Sequence, residues 1–202
     1  MGMAGLAVAS FVTSGLELHW IRASQTLEVG VILVAVPFTL QLLACVFSYL
    51  ARDGATGATL GALASTWLAM GLIHIVAPSA RVDGALGLLL LVAGGSVILS
   101  AVVVGTAKPL PALVFLAAGV RFELAGIYQL GAASSWEHAS GILGLVVTGL
   151  AAYCVIAFEL EGQNRAPILP TFRRGRAAAA IYDGSETQLD RIEHEPGVRQ
   201  TS

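Results

Sequence analysis

Apolar residues gather in six stretches, 2–18, 28–51, 55–76, 84–105, 110–131 and 136–160, and a polar segment closes the chain. Most stretches hold about 20 residues, the length a helix needs to cross a hydrocarbon core of about 30 Å at about 1.5 Å per residue. The pattern predicts an all-α fold, a polytopic membrane bundle of six transmembrane helices over 1–160. A polar, largely disordered tail over 161–202 is expected to follow. The first stretch is the weakest, because Thr13, Ser14 and Glu17 interrupt it. No basic segment precedes it, the first basic residue being Arg22, so it reads as a span and not as a cleavable signal.

The connections are short, at 53–54, 79–83, 106–109 and 132–135, and predict antiparallel neighbours. Pro78 and Pro109 fall at span ends. Pro37 lies inside the second stretch, where it removes a backbone hydrogen bond, so a kink is expected near 33–37. Beyond the last span, Arg173, Arg174 and Arg176 form a basic cluster suited to setting topology or touching lipid headgroups. One or two helical turns are expected at 177–181 and disorder over 183–202. With six spans, Arg52, Lys108, Arg165, Arg173, Arg174 and Arg176 fall on one side, and Arg22 and Arg81 on the other. This bias predicts a multi-pass protein of the cell membrane with both termini in the cytoplasm.

Composition agrees. The 202 residues are 56% hydrophobic and 12% charged, and mean hydropathy is +0.79. A water-soluble domain of this size carries more charge, whereas lipid-facing helices do not need it. The lipid bilayer is therefore an expected partner. The 23 glycines suit close helix packing. A net charge of −2 gives no nucleic-acid footprint. Cys45 and Cys154 fall in separate spans and read as packing residues. No metal, cofactor or catalytic residue is expected. An intramembrane serine protease is disfavoured, since Ser96 follows Gly94-Gly95 but precedes Val97, and the only later histidines are His138 and His194.

Ionisable groups inside spans are costly and mark candidate sites. Arg121 and Glu123 sit near the middle of the fifth span, two residues apart, so they face different neighbours. Arg121 has two readings: a site for an anion, or a packing pair with a carboxylate such as Glu17. Gln41, Ser65, Thr66, Gln129 and Thr148 add uncharged hydrogen-bonding groups. His74 is expected at the interface. Trp20 and Trp136 read as interfacial anchors, whereas Trp67, midway along its span, packs in the bundle or narrows a path.

Three segments carry a resemblance. The first holds His138 to Leu145, then Ala151-Ala152-Tyr153, then Arg165-Ala166-Pro167-Ile168-Leu169-Pro170. The second is Leu40-Gln41-Leu42-Leu43-Ala44, followed by Gly54-Ala55-Thr56, and the third is Ser65-Thr66-Trp67-Leu68. In order and spacing, the chain resembles the acetate uptake transporter family, also called the succinate–acetate/proton symporter family, over about 160 residues. The resemblance implies a six-helix protomer with its own path, a hexameric homo-oligomer and a hydrophobic constriction of Phe, Leu and Tyr. The constriction positions fall here at Ala9, with Phe11 close by, at Leu63 and at Ala118. The family's Asn-Pro-Ala-Pro-Leu-Gly entry is missing, and Ser48 stands where the family has a glutamate. The smaller side chains predict a wider path or an altered selectivity.

The expected function is a transporter or channel for acetate or a similar small monocarboxylate, with proton coupling as an option. Candidate path residues are Thr13, Gln41, Leu63, Ser65, Trp67, Ala118, Arg121 and Ala151. Thr13, Gln41 and Ser65 would supply hydrogen-bond donors, and Arg121 would attract the anion. The alternatives are a channel for urea, an amide or ammonium, and a membrane scaffold with no path.

Overall fold

The computed structural model describes residues 1–78, 82–164, 168–175 and 177–179, which are helical or irregular with no strand among them. Helix α1 is Gly2–Glu17. Helix α2 (Thr26–Leu33), a π-helical turn (Val34–Phe38) and α3 (Thr39–Leu50) continue one another as a second rod. Four more rods follow: α4 (Gly54–Val76), α5 (Gly84–Gly105), α6 (Pro109–Gln129) and α7 (Ser134–Asn164). Five of the six rods are long and apolar enough to cross a membrane. Helix α1, with 16 residues, reaches only about 24 Å. It is nonetheless enclosed by the bundle, and Phe11 is its one well exposed side chain.

The outer surface is apolar. Leu88, Val92 and Leu99 of α5, Leu42 and Val46 of α3, and Ile142 and Ile156 of α7 are all exposed. Such a surface drives association in water but is the equilibrium face of a helix in lipid. The chain is a multi-pass membrane protein.

The rods alternate in direction. One face of the bundle collects the start of α1, the end of α7 and the cations Arg52, Lys108, Arg173 and Arg174. We call it the basic face. The other collects His19, His74 and His138, with Trp20 and Trp136 exposed beside them.

The helix boundaries have local causes. Asp53 caps α4, its carboxylate accepting the Thr56 N–H at 3.4 Å. Asp83 caps α5 through the N–H groups of Ala85 and Leu86, at 2.9 and 3.1 Å. Pro109 opens α6, where its missing N–H costs nothing, and Gly131, at φ +93°, follows its end. The predicted disturbance at Pro37 is the π turn, which absorbs the lost backbone bond by widening the helix for five residues. Close helix contacts depend on paired glycines. A Cβ on Gly119 would meet Ile98 Cγ1 at 2.6 Å and the Gly94 carbonyl at 2.9 Å, so α5 and α6 approach backbone to backbone.

Helix α7 runs beyond the predicted end of the last span at 160. Its extra turn is fastened by residues 168–175, part of the segment expected to be disordered. Glu161 is buried and accepts hydrogen bonds from Thr171 Oγ1 at 3.0 Å and from Arg173 Nε at 3.0 Å. The Arg173 guanidinium lies 4.9 Å from the centre of the Phe158 ring. Tyr153 donates to the Pro170 carbonyl at 3.2 Å, and the Arg174 N–H donates to the Ala107 carbonyl at 2.9 Å. A helical turn at 177–179 comes next. Arg81, Arg165, Arg176 and the segment 183–202 lie outside the described residues.

Candidate functional site

Two cavities enter the bundle from opposite faces. The one on the basic face has a volume of about 290 Å³ and reaches Met3, Leu60, Phe115 and Val155, with Lys108 and Arg173 at its rim. The one on the histidine face is larger, about 990 Å³, and reaches Thr13, Met70, Leu90 and Ala125. On α1, α4 and α6 alike, the two cavities end ten residues apart: Met3 to Thr13, Leu60 to Met70, Phe115 to Ala125. The material between them is therefore a plug about 15 Å thick.

Helical periodicity shows what fills the plug. On α4 the residues Leu60, Leu63, Trp67, Met70 and His74 form one stripe, entering one cavity at its first member and the other at its last. On α6 the equivalent stripe is Pro111, Phe115, Ala118, Phe122, Ala125 and Gln129. The middle members Leu63, Trp67, Ala118 and Phe122 are at most 2% exposed, and Leu6, Ala9 and Ala151 are fully buried. The rings of Trp67 and Phe122 meet edge to face, centroids 5.0 Å apart.

The smaller side chains at Ala9 and Ala118 thus do not leave a wide opening. Phe115 and Phe122, a turn on either side of Ala118, supply the bulk. Neither was singled out in the sequence, although each lies three or four residues from Ala118, the spacing of a shared helix face.

Polar atoms border the plug without partners. Trp67 Nε1, Ser10 Oγ and Ser14 Oγ are buried and make no hydrogen bond among the described residues. Buried polar groups nearly always have a protein or water partner, so these three make the border of the plug able to hold a polar guest. Ser10 and Ser14 lie one turn apart on α1.

Arg121 is 2% exposed and belongs to a network at the floor of the larger cavity. Its Nη2 donates to Glu17 Oε2 at 2.9 Å and to Thr13 Oγ1 at 2.7 Å, and its Nε donates to the Ser140 carbonyl at 3.3 Å. Ser140 Oγ donates to Glu17 Oε1 at 3.1 Å. Three helices, α1, α6 and α7, meet in these bonds. Gly144 makes room for them, since a Cβ there would overlap Ser14 Oγ and Arg121. Of the two readings of Arg121, the pair with Glu17 is present, and Glu17 faces the cavity.

The other candidates divide. Glu123 faces α5, where it takes a backbone hydrogen bond from Gly95 and leaves no space for a side chain at Gly94. Gln41 is fully buried, and its Nε2 donates to the Gly2 carbonyl at 3.3 Å, tying α3 to the start of α1. Ser65 is exposed on the outer face and, among the described residues, bonds to the carbonyls of Gly61 and Ala62 on its own helix. Phe11, 53% exposed, points away from the plug. Ser65 and Phe11 both fall on the opposite side of their helix from its buried stripe, so neither side chain enters the plug. His74 lines the larger cavity with its Nδ1 buried, and the rings of His19 and His138 stack at 5.4 Å near its mouth. Among the described residues no cluster of three metal-ligating side chains exists.

No family model matches the chain, and no curated protein matches it. A solved structure does: the bacterial acetate channel SatP, with a TM-score of 0.69 over 85% of this chain and 98% of that one. The chain has the SatP fold. Sequence identity is 19%, so the likeness speaks for the architecture of helices and not for individual side chains.

Proposed function

We propose that the protein carries acetate or a similar small monocarboxylate across the cell membrane through the axis of each protomer. One observation carries this: two cavities on opposite faces end on the same helical stripes, about 15 Å apart, with unpartnered buried donors between them. A small solute must shed water to pass Leu63, Trp67 and Phe122, and donors offset part of that loss. The SatP fold supports the solute class. Candidate path residues are Thr13, Ser14, Ser10, Trp67, Leu63, Ala118, Phe122 and Ala151, with Arg121 at one end.

The bias of Arg52, Lys108, Arg173 and Arg174 toward one face supports a cytoplasmic basic face with both termini on it. The exposed Phe11, on a helix otherwise enclosed, supports contact with further copies of the chain in a homo-oligomer.

A second reading keeps the path and changes the solute to urea or an amide. The observation in its favour is that Glu17 already neutralises Arg121, so the cavity floor offers no free positive charge. Uptake of labelled acetate by proteoliposomes, with propionate and urea as competitors, decides between them. The monocarboxylate reading expects protein-dependent acetate uptake, reduced by propionate and untouched by urea. Urea uptake without acetate uptake overturns it.

A further inference from the structure

Arg121 and Glu17 form an ion pair of which one member faces a cavity and the other does not. Glu17 and Thr13 line the larger cavity, while Arg121 lies behind them, 2% exposed. A solute entering from the histidine face therefore reaches the guanidinium only at the position Glu17 occupies. We infer that Arg121 is a carboxylate-exchange site, at which a small monocarboxylate takes the place of Glu17 while Glu17 takes up one proton. The inference rests on the monocarboxylate reading and assigns the exchange of carboxylate and proton to this one pair.

Three features of the network support the exchange. First, the guanidinium does not depend on Glu17 for its position. Thr13 Oγ1 and the Ser140 carbonyl hold it at 2.7 and 3.3 Å. Second, the donor that Glu17 would vacate, Arg121 Nη2, already holds a carboxylate oxygen at 2.9 Å, so a solute carboxylate presents the same charge-assisted acceptor. Third, charge sets the stoichiometry. Two carboxylates on one buried cation leave an uncompensated charge, which is strongly unfavourable at low dielectric. Protonation of Glu17 keeps the site neutral: before exchange Arg⁺ and Glu⁻, after it Arg⁺, solute⁻ and neutral Glu17. Ser140 Oγ, 3.1 Å from Glu17 Oε1, remains as a partner for the neutral acid.

The proton comes from hydronium in the cavity water: one of its O–H bonds breaks as one forms at Glu17, and neutral water is left. At the plug the transfer reverses. The Glu17 O–H bond breaks, the solute carboxylate gains the proton, and the solute leaves Arg121 as the neutral acid. Ser14, Ser10 and Trp67 Nε1 are the unpartnered donors along its way. The Arg121–Glu17 pair then re-forms. A neutral acid crosses the apolar plug at far lower desolvation cost than its anion.

The ionisable groups around Glu17 are Arg121 and Tyr128 on α6, Glu137 and His138 on α7, His19 after α1, and His74 on α4. Helix α5 contributes only Leu86 and Leu90 to this cavity.

The test is protein-dependent acetate uptake by proteoliposomes between pH 5.5 and 7.5, with an internal pH dye, for wild type, Glu17→Gln and Glu17→Asp. Rates in protein-free vesicles are subtracted. Wild type is expected to take up acetate faster at lower pH and to carry protons with it. Glu17→Asp, which still titrates, is expected to keep that profile at a reduced rate. Glu17→Gln, which keeps an oxygen for Arg121 but exchanges no proton, is expected to show a flat profile and at least a tenfold loss of coupled proton entry. A Glu17→Gln protein with the wild-type profile overturns the exchange, as does a flat profile in Glu17→Asp. No protein-dependent acetate uptake by folded wild type overturns the monocarboxylate reading itself.

Discussion

Replacing Arg121 by Met removes three hydrogen bonds at once, to Glu17, Thr13 and Ser140. The methionine fills much of the space, so the main loss is electrostatic. Glu17 is left with Ser140 Oγ as its remaining bond in this network, in a site where its side chain is only 17% exposed. Breaking a buried pair from one side costs about 3–5 kcal/mol. Removing Glu17 alone, as Glu17→Leu, strands the guanidinium and costs a similar amount. Removing both leaves no uncompensated charge, so the double variant is expected to be less destabilised than the sum of the singles, by about 2–3 kcal/mol of coupling. The assay is reversible unfolding in mixed detergent micelles, followed by helical circular dichroism, for the four proteins of the cycle. Additive effects, with coupling below about 0.5 kcal/mol, would refute the view that the two side chains form one closed electrostatic unit.

Other consequences are local. At the basic face Lys108 binds Asp53, linking the start of α6 to the start of α4. Burial pushes the Asp53 carboxyl up, but the hydrogen bonds from Lys108 and Thr56 outweigh it and hold it below its ordinary value. The stability this adds is present above the ordinary carboxylate range and is lost as pH falls through the depressed value. Lys108→Met should therefore cost less than about 1 kcal/mol at pH 7, and the difference from wild type in thermal unfolding should shrink as pH falls below the ordinary aspartate value of about 3.9. Glu161→Ala should free the Arg173 segment, so that trypsin cleaves at Arg173 or Arg174 several-fold faster; an unchanged rate would show that the segment is held elsewhere. Gly119→Ala should destabilise the bundle by about 1–3 kcal/mol through overpacking, because its Cβ would meet Ile98 and the Gly94 carbonyl.

The spans were legible in the sequence because lipid leaves one solution for a 20-residue apolar stretch, a helix with all its backbone bonds internal. Pro37 marked the π turn for the same reason: a missing N–H must be accommodated somewhere. Arg121 was legible as a buried charge in need of a partner, and Glu17, named as one possible partner, is the one it pairs with. The buried plug was only partly legible. Ala9, Leu63, Trp67, Ala118 and Ala151 lie in the buried plug, while Phe11 and Ser65 turned outward. Their helices are apolar nearly all round, so no polar face indicates which side meets lipid and which meets protein. Phe115 and Phe122 went unnoticed for that reason. The docking of Thr171 and Arg173 onto Glu161 was equally hidden, because a buried carboxylate near a span end looks in sequence like any solvated one.

The central claim is that solute passes through the plug around Ala118. The most direct test places a cysteine there, as Ala118→Cys in a chain carrying Cys45→Ser and Cys154→Ala. Acetate uptake is measured in the same proteoliposomes before and after reaction with methyl methanethiosulfonate. A methylthio group at this position narrows the path between Phe115 and Phe122 without requiring the protein to fold around it. The path described here predicts that uptake stops as the thiol is consumed and returns on reduction. Full modification with unchanged uptake would contradict it.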